Sequence, residues 1–315
     1  MNAFDWVAQI LGILVALLAA PLFLGWVNQC RAWLQNKSAP PLLQPYRGIR
    51  KLFYKDAVIA SNASQLFRLA PYVVFGTMVM AAAIIPSVAT RLPFTRAADA
   101  IALVGLFATA RVFVSLAAMD VGTAFGTLGA RREMMIGFLA EPALLMVIFV
   151  ASLISATTAL PAISELLATQ SLALYPSLAF TAVAFTMVLL AENARIPVDN
   201  PATHLELTMI HEAMLLEYSA RHLALMEWAA ALKLFNYVSI GLALFVPWGL
   251  ATSQDPFALA AALLLLGAKL ALAGAGIALI ETVSAKLRVF RAPEFLATAF
   301  LFAVLGLLVR LLLGP

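Results

Sequence analysis

Six acidic residues crowd one region of this sequence: Glu192, Asp199, Glu206, Glu212 and Glu217 lie between Ala191 and Arg221, and Glu227 follows just beyond. Carboxyl groups held close together where water is scarce share protons, because neighbouring negative charges there repel strongly. Such a set can pass protons near neutral pH. Pro197 and Pro201 break the backbone around Asp199, and Arg195 stands just before them. Thr203, with Glu206 three residues later, has the spacing of a capping box, so capping competes with chemistry as the role of Glu206. If that helix continues, Glu206 and Glu217, eleven residues apart, share a face, and Glu212 points elsewhere. A metal site fits less well. His211-Glu212 opens like a zinc-protease helix, but Leu215 stands where the second histidine belongs, which leaves only His204 and His222 to meet it in space.

More ionisable groups lie inside long apolar runs: Arg111, Glu141, Glu227, Lys233 and Lys269. Facing lipid, each would cost about 2.5–3.5 kcal/mol. Such groups turn instead toward a bundle interior or a wet cavity, and pair. A structural pair such as Lys233 with Glu227 is the plain alternative for any one of them, whereas five together point to a wet polar path. Glu141 is followed by Pro142, which frees the carbonyl of Phe138 and kinks the helix beside the carboxyl, a suitable stopping point for a proton. Arg310, near a helix end, can snorkel to the surface.

The elements that must position these groups are membrane helices. Of 315 residues, 63% are hydrophobic and 11% charged, with a mean hydropathy of +0.97, which excludes an ordinary cytosolic enzyme. Eight runs approach the roughly 20 apolar residues a bilayer requires, about 6–28, 66–89, 98–119, 134–158, 171–192, 222–249, 256–281 and 293–313. The expectation is an all-α integral membrane protein, residues 1–315 forming one transmembrane domain and 191–221 a cytoplasmic segment. The first run lacks a basic leader and reads as a retained helix.

Loop charge sets the orientation. Arg31, Lys37, Arg47, Arg50, Lys51, Lys55, Arg131, Arg132, Arg195, Arg221, Lys286, Arg288 and Arg291 fall on one side, with only Arg91 and Arg96 opposite. The positive-inside bias places the first set in the cytoplasm and both termini outside. In the first cytoplasmic loop, Pro40, Pro41 and Pro45 argue against an early helix, and 46–56 reads as a short amphipathic helix on the headgroups. Cys30 is the single cysteine, so any iron–sulfur centre belongs to a partner.

The run A-E-x-x-R-x-P-x-D-x-P from Ala191, with Glu206-Leu207 and Glu217-Tyr218-Ser219 after it, resembles the membrane subunit of respiratory complex I that carries the quinone chamber (subunit 1, or H). Leu42-Leu43-Gln44-Pro45, Lys51-Leu52, Lys55-Asp56, Phe67 to Pro71, and Gly126 to Arg132 with Glu141 are similar to other parts of that family, and the resemblance covers nearly the whole chain. Other features separate it from the complex I form. The interval between Glu206 and Glu217 is about three residues longer, Ala39 and Gly48 replace a usual Gly and Asp, and Glu227 is displaced by about one turn. The wording around Ile210 to Ser219 and Ala285 to Glu294 is similar to the anchors of the hydrogenase-4 and formate hydrogenlyase types.

The resemblance implies a non-catalytic membrane subunit of a multisubunit oxidoreductase in a bacterial inner (plasma) membrane. It would anchor a cytoplasmic arm of hydrogenase large and small subunits and Fe–S proteins, beside antiporter-like membrane subunits. Fe–S clusters and a [NiFe] centre would sit in those partners, with no cofactor on this chain, and the departures weigh against a working quinone site. Glu141, Glu192, Asp199, Glu206, Glu212, Glu217, Glu227, Lys233 and Lys269 would form the proton path. Arg131, Arg132, Arg195, Arg288 and Arg291 would bind the arm or position the carboxylates. Two other readings stay open: the quinone-chamber subunit of complex I itself, and a secondary ion transporter, for which the internal repeat is lacking.

Overall fold

The computed structural model describes residues 3–96, 99–170, 175–199, 210–252, 255–285, 287 and 291–313. These residues form eleven α-helices in order: α1 Ala3–Leu34, α2 Gln44–Phe53, α3 Gln65–Ile84, α4 Ala100–Asp120, α5 Ala124–Ser155, α6 Leu160–Thr169, α7 Ser177–Glu192, α8 His211–Leu215, α9 Ala220–Phe245, α10 Pro256–Val283 and α11 Ala292–Leu313. Among the described residues there is no β-strand, only an isolated bridge joining Ala89 to Ala251. Among the described residues, seven helices (α1, α3, α4, α5, α9, α10 and α11) are long and apolar enough to cross a bilayer. The remaining run expected to span, 171–192, contains α7, whose 16 residues reach only about 24 Å.

Prolines explain several helix ends. Residues that precede proline are driven out of the helical region. Accordingly Ile85, before Pro86, is extended and ends α3 short of the expected 89, and Val246, before Pro247, ends α9 short of 249. Pro45 has the opposite effect. It occupies the first turn of α2, where its missing N–H is harmless, so the amphipathic helix spans 44–53 and starts earlier than 46–56. Two loops of the sequence reading are helical. Helix α5 starts at Ala124, ten residues before the expected span, and carries Arg131 and Arg132 on its first turns. The connection after it holds α6, which packs on α5 and α9.

Helix α9 is the centre of the bundle, touching α1, α2, α3, α6 and α7. Around it α10 packs on α1, α3 on α4, α4 on α5, and α11 on both α5 and α7. Lipid is as apolar as a side chain, so close backbone approach drives such packing and small residues line it. Ala110, Ala117, Ala140, Ala143, Ala184 and Ala229 are all buried, whereas Leu14, Phe149, Leu264, Leu272 and Leu301 face outward. This arrangement makes the chain a multi-pass membrane protein.

Candidate functional site

Helix α5 presents Glu133, Gly137 and Glu141 at four-residue intervals on one face. The bare Gly137 makes room for the buried Arg111 side chain of α4 to lie across that face. A Cβ there would come within 2.6 Å of the arginine Cδ. Arg111 thereby reaches three carboxylates. Its Nη1 donates to Glu141 and its Nη2 to Glu192, the last residue of α7, while Nε lies 3.6 Å from Glu133. From α9, Lys233 Nζ lies 3.0 Å from the other oxygen of Glu192. Tyr237, one turn further along α9, stacks on Phe107 and adjoins the same carboxylate. Two cations thus meet three carboxylates inside the membrane. Burial at this depth demands the pairing, because an uncompensated ion would cost several kcal/mol.

A second buried group joins the helix ends next to the carboxylate segment. Glu281 of α10 is shared by Arg195 at 3.0 Å and Arg31 of α1 at 3.5 Å. The peptide between Ile196 and Pro197 is cis, and the Pro197 carbonyl accepts from the Leu287 N–H at 2.9 Å. Asp199 Oδ2 accepts from the backbone N–H groups of Ile210 and His211, both at 3.3 Å, and so closes the segment at its base. The His211 imidazole is held down to about 4, first by burial and then by the Lys233 charge, against the pull of Asp199.

Beside Arg31 and His211 opens a cavity of about 1120 Å³, lined by α1, α2, α8 and α9. Asn28, Arg31, Gln35, His211, Glu212 and Glu227 supply its polar wall. Gly25 brings the first loop against α1, since a Cβ there would overlap the Leu42 carbonyl.

The sequence-predicted residues therefore divide. Glu141, Glu192 and Lys233 converge on Arg111; Lys233 pairs with Glu192 and not with Glu227, because the latter faces the cavity. Glu212 shares that wall, and Asp199 clamps backbone. The start of the helix read from Thr203 falls outside the described residues, and its continuation to Glu217 is broken after Leu215. Ile210 only caps α8, which ends at Leu215, so Glu217 lies in a turn before α9. Glu206 and Arg288 fall outside the described residues. Lys269 is remote from the cluster and binds the Val246 and Trp248 carbonyls at the far end of α9. Arg131 and Arg291 are exposed and Arg132 half-buried, whereas Arg195 is buried on Glu281, which suits positioning and not docking.

Sequence reasoning passed over Glu133 and Glu281, and left Arg111 out of the path. The available signals were the four-residue register of Glu133, Gly137 and Glu141, and a lone acid near the end of an apolar run. Among the described residues, no group of three or more His, Cys, Asp or Glu side chains converges as a metal ion would require.

Comparison with known proteins agrees with this architecture. The chain is 34% identical to formate hydrogenlyase subunit 4 of Escherichia coli (strain K12), over 93% of this chain and 94% of that protein. It is 36% identical to hydrogenase-4 component C of the same organism, over 75% and 73%. Its fold is that of a chain in the membrane-bound sulfane sulfur reductase, an archaeal respiratory membrane complex, with a TM-score of 0.84, 17% identity, and coverage of 97% and 99%. Residues 8–312 match the NADH dehydrogenase family. The chain therefore belongs to the NADH dehydrogenase family, as a membrane subunit of the complex I subunit 1 type.

Proposed function

We propose that this chain is the membrane-embedded subunit of an energy-converting hydrogenase or formate hydrogenlyase-like complex of a bacterial inner membrane. In this reading it crosses the bilayer eight times, α7 providing the eighth crossing, with both termini periplasmic. It binds no cofactor and anchors a cytoplasmic arm whose partners hold the [NiFe] and Fe–S centres. The near-full-length match to formate hydrogenlyase subunit 4, and the match over three quarters of the chain to hydrogenase-4 component C, support this branch of the family.

The observation that carries a coupling role is Arg111 bridging Glu141 and Glu192 in the bundle interior. Arg111 and Lys233 against Glu133, Glu141 and Glu192 make two positive and three negative formal charges, a net of minus one. An odd charge in a low dielectric is relieved by one proton, so the cluster holds or releases one proton as its surroundings change. His211 lies on the cavity wall and feels the Lys233 charge, which links the cavity electrostatically to the cluster. A redox event in the arm that moves the 191–221 segment would then bias the occupancy of that proton.

The test is to purify the complex through a tag on this chain and identify its companions. Hydrogenase large and small subunits should co-purify, and Arg291→Glu, a reversal at an exposed cation, should release them in moderate salt while this chain stays in the membrane. An arm that stays bound would reduce Arg291 to a topological anchor. Companions of another redox class would overturn the assignment.

The large cavity favours one other reading, the quinone-chamber subunit of complex I, since its volume accommodates a ring-headed amphiphile. Quinone reduction by the purified complex, inhibited by bulky substitutions at Ala230 or Ala231 on the cavity wall, would decide for it.

A further inference from the structure

At the end of the bundle opposite the 191–221 segment, α9 carries polar groups that the coupling scheme leaves unused. Beyond Lys233, Asn236 and Ser239 follow at three-residue intervals and so succeed one another along neighbouring positions of the helix surface. Asn236 and Ser239 are buried. Asn236 Nδ2 donates to the Met78 carbonyl at 2.9 Å, but its Oδ1 and the Ser239 Oγ have no hydrogen-bond partner among the described residues. Buried hydroxyls are rarely left so, and bound water usually satisfies them.

Ser239 lines a small cavity with room of about 10 Å³ for the centre of a water molecule, which is about one molecule. Its other polar walls are Ser87, just past the end of α3, and Lys269 of α10. Lys269 Nζ donates to the Val246 carbonyl at 2.6 Å and to the Trp248 carbonyl. An ammonium has three N–H donors, so one remains. A cation at the end of α9 also complements its carbonyl dipoles, but that role accounts for Lys269 alone and not for the orphaned serine.

We propose that a water molecule bound by Ser239, Ser87 and Lys269 makes this cavity an outer vestibule, bringing solvent from the outer surface to within six residues of Lys233 along α9. Six residues of helix rise about 9 Å. The buried ion cluster then lies between the large cavity, whose wall reaches Ala230 and Ala231 just before Lys233 on α9, and this vestibule beyond it. The use of the vestibule in coupling rests on the function proposed above; its hydration does not.

The experiment is water radiolysis of the intact complex, which generates hydroxyl radicals from bound water in place. Ser239→Cys and Ser115→Cys are compared, each in a Cys30→Ala background. Ser115 is also fully buried with an orphaned hydroxyl, but it lies on α4 away from this cavity. Short-pulse oxidation of the thiol at 239 should exceed that at 115 at least about fivefold, and adding Lys269→Met should reduce the excess. Oxidation at 239 no greater than at 115 would remove any distinction of this cavity and overturn the proposal. Should Ser239→Cys fail to assemble, Ser87→Cys reports on the same cavity by the same criterion. Neither outcome depends on which partners the complex contains. A dry cavity leaves the anchoring role standing, and non-hydrogenase partners leave the vestibule standing.

Discussion

Arg111 donates to Glu141 and Glu192 at once, joining residues 30 and 81 positions away in the chain and three helices in space. The two carboxylates differ in setting. The Glu141 side chain is 33% exposed, and that of Glu192 is 1% exposed with Lys233 on its second oxygen. That difference separates what their substitution should do.

Glu141→Gln is expected to assemble and to retain dye-linked hydrogenase activity in the arm. Glutamine keeps the shape and an acceptor for Arg111 but cannot titrate. Proton movement in sealed vesicles should fall at least about tenfold, or roughly 1.4 kcal/mol on a limiting barrier. Glu165→Gln, exposed on α6, is the control and should change neither reading. Unchanged coupling in Glu141→Gln would remove that carboxyl from the path.

Glu192→Gln should instead lower the amount of assembled subunit. It leaves Lys233 and Arg111 buried with one carboxylate fewer, and breaking such a pair costs about 3–5 kcal/mol. Lys233→Met added to Glu192→Gln removes the cation left without its partner and returns the cluster to its net charge of minus one, and should recover assembly without recovering coupling. Immunoblots of membranes, with vesicle assays on the double variant, separate the two effects. A Glu192→Gln chain that accumulates normally would show that the pair is not what holds α7 and α9 together.

Packing of α8 against α5 turns on Gly129. A Cβ at this position would lie 2.8 Å from the Ile210 carbonyl oxygen and 3.0 Å from Ala213 Cβ. Gly129→Ala should therefore displace the 210–216 segment at a cost of about 1–3 kcal/mol. Gly105→Ala meets nothing within 4 Å and should be neutral or slightly stabilising, since alanine favours the helix by about 0.5–1 kcal/mol. Limited proteolysis of the segment, compared between the two variants, checks the contrast.

Acidification should loosen the same segment through His211. Its value of about 4 in place lies below the ordinary 6.5, so the open segment binds the proton more readily than the closed one. Closure is fully supported above about 6.5 and weakens as the pH falls from there toward 4, with opening rising by up to about tenfold per pH unit. Hydrogen exchange at residues 210–216, after correction for intrinsic rates, should show that rise. His211→Gln should flatten it; an unchanged slope in that variant would assign the effect elsewhere.

Topology follows from thirteen basic loop residues facing two. A reporter fused after Pro315 should read periplasmic and one inserted near Lys37 cytoplasmic. A cytoplasmic C-terminus would mean that α7 does not cross, leaving the seven longer helices as the spans.

The one-dimensional properties of this chain were legible without coordinates. Apolar length marks most of the membrane helices because a bilayer demands it locally, and prolines at 86 and 247 carry the signals that end α3 and α9. The motif beginning at Ala191 identifies the family. It also singled out Glu192, and the rule that charges are rare in apolar runs singled out Glu141 and Lys233. The pairing was not legible. Sequence proximity suggested Glu227 for Lys233, within one helix, but the partner is Glu192 from another helix. Arg111, Glu133 and Glu281 acquire meaning only when α4, α5, α7, α9 and α10 are packed, since each ion is balanced by groups from other helices. Hydrophobicity and backbone hydrogen bonding act within a segment and are written along it. Charge compensation in a low dielectric acts over a few ångströms of space, and so only the tertiary structure decided which of many buried ions form a site.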